Sequence, residues 1–254
     1  VAATDLLSAG TIASASGYAM PRHVALDAGR CAVRSIDTLG HCWQGPIVTF
    51  RLPEALQTSD DAAAIALLKR YYGDPHLSIG CADGAHFDTW ATGSDPMHFT
   101  ADDLIAIKFL SVEAPKTAVR ALLRDRADEF SGLLVDLGPD RDLTNEDKLP
   151  GHTWAGWRIM DALRSIPGVG TTIASKLLAR KRPRLRPIWD SVVAAVTDTV
   201  PAQWEPLRVA LRADDLALHR RLLRLRDAAH LPAEVSALRI LDVIAWREGK
   251  DRDL

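Results

Sequence analysis

Apolar residues recur at helical spacing through most of the chain from residue 99 onward, while the first hundred residues keep no single rhythm. Within those hundred a single helix stands out. Ser59-Asp60-Asp61 offers a cap, 62–72 carries apolar residues three and four apart, and Gly73-Asp74-Pro75 ends it. The run 46–53 places β-branched and aromatic residues between two prolines and predicts a short strand. Residues 22–39 read as helical or irregular. The stretch 73–98 holds four glycines and two prolines, which predicts a long irregular connection. His86, Phe87, Asp88 and Trp90 sit inside it, either lining a pocket or packing a connector between two helical lobes.

From residue 99 the expected elements are nearly all helices. Thr100 opens one, with Asp103 at the reach-back position of a capping box and Leu104, Ile107 and Leu110 on its buried stripe. Helices are then expected at 116–126 and 127–137, a polar loop at 138–151, and a helix marked by Trp154, Trp157, Met160, Leu163 and Ile166. Further helices are expected at 171–180, 190–198, 202–211, 214–228 and 232–247. The fold class is therefore mainly α, with a small β element near the N-terminus. The organisation reads as a mixed helical and extended region, 1–98, packed on a helical domain, 99–254.

Composition narrows the chemistry. Hydrophobic residues make up 47% and charged residues 25% of the chain, and the formal net charge is -2, which argues against a binder that holds nucleic acid by bulk positive charge alone. Cys31, Cys42 and Cys81 form no CxxC pair, so neither a disulfide framework nor a cysteine-ligated zinc or iron-sulfur site is expected. A reducing cytoplasm is the simplest compartment. The small-residue stretch 1–17 lacks the basic and apolar segments of a signal peptide, and no run is apolar for long enough to span a membrane. The histidines show no metal-ligand spacing, so no metal or other cofactor is expected.

The most informative stretch is Leu163-Arg-Ser-Ile-Pro-Gly-Val-Gly-Thr-Thr-Ile-Ala-Ser-Lys-Leu-Leu-Ala-Arg180. A helix ends in a turn with two glycines, and another helix starts at once. Gly168 and Gly170 permit a positive φ and a close backbone approach. Unpaired N–H groups at the start of the second helix then point outward with the helix dipole behind them, and such an arrangement binds a phosphate. Ile166 and Val169 should point inward as anchors. The expected DNA contacts are Pro167, Gly168, Val169, Gly170, Thr171 and Thr172, followed by Lys176, Arg180, Lys181 and Arg182 on the second helix and in the basic run 180–186. An ordinary αα-hairpin with a glycine turn is the plainer reading of the same residues.

Asp190 comes next, in Pro187-Ile188-Trp189-Asp190-Ser191-Val192-Val193. Together with the hairpin, this stretch resembles the helix-hairpin-helix (HhH-GPD) DNA glycosylase superfamily. There the hairpin reads like LPGVGxxTA, and an aspartate opens a helix about twenty residues beyond its last glycine. Here that spacing runs from Gly170 to Asp190. The resemblance covers roughly residues 157–196, with the helix-hairpin-helix at 157–180 and the aspartate loop at 181–191. The stretches FTADDLIAIKFLSVEAP, GVGTTIASKLLARKRPRLRPIWD and SALRILDVIAW are also similar to an actinobacterial family of uncharacterised proteins.

The glycosylase resemblance implies a two-lobed helical fold and base excision from double-stranded DNA. A nucleotide is flipped into a pocket, and Asp190 stabilises the cationic sugar and activates water as the base departs. Members that also cut the strand carry a lysine two residues after the second hairpin glycine. That position here is Thr172, so a monofunctional enzyme that leaves an abasic site is implied. Trp189, His86, Phe87, Asp88 and Trp90 are the candidates for the base pocket, with core packing as the plainer reading of Trp189. Asp190 can equally serve as a helix N-cap. The arginines 212, 220, 221, 224 and 226 read as a solvated face. A monomer is expected, and the excised base, which includes modified bases of phage DNA among the options, is left open. A non-catalytic DNA-binding protein built on the same hairpin is the alternative.

Overall fold

The computed structural model describes residues 26–27, 30–33, 48–74, 80–91, 93–147, 154–199 and 204–254. The segment 1–17 and Cys42 lie outside these, as do parts of the stretches 22–39, 46–53, 138–151 and 202–211. Ten α-helices are described: α1 (Ala62–Tyr72), α2 (His86–Thr89), α3 (Ala101–Ala106), α4 (Lys116–Arg120), α5 (Ala127–Leu137), α6 (Ala155–Arg164), α7 (Thr171–Lys181), α8 (Ser191–Thr197), α9 (Trp204–Ala228) and α10 (Ala237–Asp251). The protein is mainly helical. Its described strands, β1 (Leu26–Asp27), β2 (Arg30–Val33) and β3 (Val48–Arg51), form one antiparallel sheet in the order β1-β2-β3. Two of them fall within 22–39, where the sequence predicts no strand. The run is too short for an alternating pattern to stand out from a loop.

Local signals set most boundaries. Thr100 and Asp103 form the expected capping box on α3. Lys116–Arg120 leaves α geometry for a π-helical turn at Ala121–Asp125 rather than continuing straight to 126. In α9 the helical geometry breaks at 213–216, where Asp214, Asp215 and Leu216 all have positive φ, so the element is two helices in one line of sequence. The last helix starts at 237 rather than 232, because Ser236 is its cap: the Ser236 hydroxyl accepts from the Arg239 N–H.

A single buried cluster joins Phe50, Leu56 and Leu68 to Phe130, Leu134, Ile159, Leu177 and Ile244. The described part of 1–98 thus shares the core of the helical region. Two glycines set close packings within it. Gly249 on α10 leaves no room for a side chain: a Cβ there would lie 2.3 Å from Val192 Cγ1 and 3.0 Å from Val196 Cγ2. The missing side chain lets α8 lie directly on α10. Gly84 plays the same role against Tyr71, whose hydroxyl would sit 2.0 Å from an added Cβ.

Candidate functional site

The turn between α6 and α7 uses the freedom of one of its two glycines. Gly168 has a φ of +86°, in the region that favours glycine, and Gly170 is the N-cap of α7 in extended geometry. Ile166 and Val169 are buried, while Pro167, Gly168, Gly170 and Thr171 are exposed. The turn is braced from behind. The Thr117 hydroxyl donates to the Pro167 carbonyl, and Pro115 lies against Gly168. The start of α7 is therefore open to solvent at Gly170 and Thr171: a Cβ on Gly170 would have no neighbour within 4 Å. Thr172 is half-buried on the first turn of α7.

The basic run beyond the hairpin is not the DNA-facing surface that its charge suggests. Lys176, Lys181 and Arg182 are buried, and Arg180 is mostly so. Lys176 Nζ donates to the Leu110 carbonyl at 2.8 Å. Arg180 donates to the carbonyls of Phe87, Trp90 and Ala91. Lys181 pairs with Asp103 and donates to the Asp95 carbonyl. Arg182 is fully buried and donates to the carbonyls of Gly138, Pro96 and Leu134. Arg184 is exposed but forks onto Asp142, and Arg186 is buried against Trp154 and Trp204. The expected basic patch is therefore an internal brace. These cations join the irregular 80–98 segment and the 138–147 loop to the end of α7. A buried cation requires such acceptors, and the carbonyl-rich loops supply them. A residue outside the basic run lies in the better position. Lys116, at the start of α4 beside Pro115 and Thr117, is exposed next to the hairpin turn.

Asp190 is the N-cap of α8. Its Oδ1 accepts from the Val192 N–H at 3.0 Å, so the capping reading holds. Its other oxygen remains available. Oδ2 lies 3.8 Å from Lys176 Nζ, and the side chain is 21% exposed. Ser175 ties the Asp190 loop to α7, since its hydroxyl accepts from the Trp189 N–H at 3.1 Å. The hairpin helix and the aspartate are thus held as one unit. Lys176 is five residues, or about 7.5 Å of helix axis, from the exposed start of α7.

Asp190 lines a cleft of about 410 Å³, within the range of small-molecule sites. The walls come from Tyr71 of α1, Gly84, Phe109–Ser111, Lys176 of α7, and Asp242 and Trp246 of α10. Ser111, at its edge, has a φ of +59°, a conformation side chains seldom adopt. Burial lowers the pKa of Lys176 from the usual lysine value, with Asp190 and Asp242 pulling it back up. Burial raises Asp242 to about 6, opposed by Arg239 and reinforced by Asp190.

Arg239 organises this wall. Its Nε–H is shared between the two Asp88 oxygens at 3.1 and 3.0 Å, and it pairs with Asp242 and donates to the Tyr71 hydroxyl at 2.7 Å and the Gly84 carbonyl at 3.1 Å. Burial works against its charge, but Asp88, Tyr71, Tyr72 and Asp242 outweigh that and raise its pKa.

The residues expected to form a base pocket do not line this cleft. Asp88 is occupied by Arg239 and by the Tyr72 hydroxyl, and Phe87 is in the core. Trp90 donates to Asp102 on the surface, and Trp189 flanks the loop without reaching the cleft. His86 lines a separate cavity with Cys81, 3.8 Å away. Proximity to Asp190 along the chain misleads for Trp189, and the aromatic content of 73–98 misleads for the rest. The walls that carry no motif, Tyr71, Asp242 and Trp246, lie on ordinary amphipathic helices. Their one signal is polarity on a buried face, as in Asp242 within 237–251. Among the described residues no group of histidine, cysteine, aspartate and glutamate could hold a metal ion, and no helix is long and apolar enough to cross a membrane.

A family model described as a family of unknown function (DUF6308) matches residues 64–249, which take in the hairpin and the cleft-lining residues from Tyr71 to Trp246. No curated protein and no solved structure matches the chain.

Proposed function

The chain belongs to this family of unknown function, and we propose that it is a DNA glycosylase that hydrolyses the N-glycosidic bond of a damaged or modified base, leaving an abasic site. The observation that carries this reading is the shared mounting of two features. The exposed start of α7 suits a phosphate, and the same helix holds, through Ser175 and Lys176, a carboxylate that opens into a nucleotide-sized cleft. One phosphate gripped at 168–171 would position the neighbouring nucleotide for extrusion toward Asp190. Loss of the base leaves positive charge on the sugar, and a fixed carboxylate beside it lowers the barrier. Asp190 Oδ2 then takes a proton from the attacking water, and the water oxygen bonds to C1′. Lys176 keeps the carboxylate in place. In this mechanism water is the nucleophile, with Thr172 at the hairpin position where strand-cutting members of the glycosylase superfamily that the stretch resembles carry an amine.

The test is incubation with a panel of modified duplexes and modified phage genomes, scored for alkali-labile sites. Wild type should release a base from at least one. Asp190→Asn should lower that rate by about 100-fold or more while keeping duplex affinity. An unchanged rate in Asp190→Asn removes the residue from catalysis. A second reading, a non-catalytic DNA-binding protein, draws on the capping bond from Asp190 to Val192, which gives that residue a structural reason to be present. It predicts duplex binding with no abasic product anywhere in the panel.

A further inference from the structure

The cleft holds a second carboxylate whose placement the capping and bracing roles leave unexplained. Asp242 comes from α10, lines the cleft together with the α7 lysine, and is buried. One of its oxygens, Oδ2, accepts from Arg239. The other, Oδ1, is buried without any hydrogen-bond partner. A buried carboxylate oxygen with no donor is costly unless it carries a proton or meets a ligand. The groups that face it are Arg239 of its own helix, Tyr71 of α1, Asp88 of α2, Lys176 of α7 and Asp190 ahead of α8. Two carboxylates in one low-dielectric cleft repel each other's charge, and the better-solvated one keeps it. Lys176 interacts with both carboxylates and Arg239 pairs with Asp242, but Asp190 is 21% exposed whereas Asp242 is buried with Oδ1 undonated, so the proton belongs on Asp242.

We propose that Asp242 is the general acid of the site, donating its proton to the departing base while Asp190 stabilises the sugar. This rests on the glycosylase reading and narrows its substrate to neutral bases that leave poorly unless protonated. The step balances. The C1′–N bond breaks with its electron pair going to the base nitrogen. The Asp242 proton goes to a ring nitrogen or carbonyl oxygen of that base. Water adds to C1′ and gives a proton to Asp190, and one proton then returns from Asp190 to Asp242. The raised pKa of Asp242, about 6, leaves roughly a tenth of the molecules with this proton in place at pH 7 and more of them at lower pH.

The experiment compares single-turnover excision by wild type and Asp242→Asn on two kinds of duplex. One carries the neutral base that wild type removes best in the panel. The other carries 7-methylguanine, which is already cationic and needs no acid. The variant should lose about 100-fold on the neutral base and under about 5-fold on 7-methylguanine. The wild-type rate on the neutral base should fall above pH 6, and that fall should vanish in the variant. Because both rates come from one protein sample, partial misfolding scales them equally and cannot mimic the difference. Equal losses on the two duplexes, or no loss on either, overturn the role of Asp242 while leaving the glycosylase reading intact. If wild type removes no neutral base but does release 7-methylguanine, the acid role falls alone. If wild type gives no abasic product at all, both readings fall.

Discussion

At Asp190 two roles meet in one side chain, and they separate by oxygen atom. Oδ1 caps α8 and Oδ2 faces the cleft. Asparagine keeps an acceptor for the Val192 N–H, whereas alanine does not. Asp190→Asn should therefore leave the melting temperature nearly unchanged, and Asp190→Ala should cost about 1 kcal/mol in a denaturant titration. If both variants lose stability equally, the cap is not what holds the loop. Lys176 raises a related question of chemistry. Its ammonium is desolvated, lies near the cleft carboxylate and has a lowered pKa, features that also suit an amine nucleophile. Its bond to the Leu110 carbonyl points to a bracing role instead. Borohydride added during turnover should thus trap no covalent protein–DNA adduct. An adduct that disappears in Lys176→Met would make the lysine the nucleophile.

Among the elements, the hairpin gives the sharpest contrast, because its two glycines serve different ends. Gly168 needs its positive φ and touches Pro115, so Gly168→Ala should cost about 1 to 3 kcal/mol. Gly170 has ordinary φ and open space in front of it. Gly170→Asp supplies a better N-cap and a negative charge at the positive end of α7, so stability should hold or rise by a few tenths of a kcal/mol. The same charge stands where a phosphate would bind, so duplex affinity should drop at least about tenfold. Unchanged affinity would detach the hairpin from DNA. These elements are legible in the sequence because their determinants are local: a cap at Thr100, glycines at 168 and 170, a helical stripe in 62–72. The interior fate of Lys176, Lys181 and Arg182 is not, because their acceptors are carbonyls of segments 44 to 86 residues away. Charge in a sequence reads as surface until the partner loops are known. The cleft is hidden for a similar reason. Its walls come from α1, α7 and α10, elements far apart in the sequence, and Gly249 lets α8, with Asp190 at its cap, settle on α10.

For the molecule as a whole, the buried acid ties stability to pH in a direction opposite to most carboxylates. Asp142 and Glu129, paired with Arg184 and Arg126, have lowered pKa values, and their contribution is lost as pH falls. Asp242 has a folded pKa of about 6 against an unfolded value near 3.8. Between those values the folded state binds the extra proton. The stabilisation from this group is therefore complete below about pH 4 and is lost as pH rises through 6. Asparagine cannot ionise, so the stability of Asp242→Asn relative to wild type should climb between pH 4 and pH 6.5 and then level off. Urea unfolding of both proteins across that range measures the difference directly, without any substrate. A flat difference would mean that Asp242 ionises as easily in the fold as outside it. The acid in the cleft would then have no proton to give at neutral pH, whatever the enzyme is found to excise.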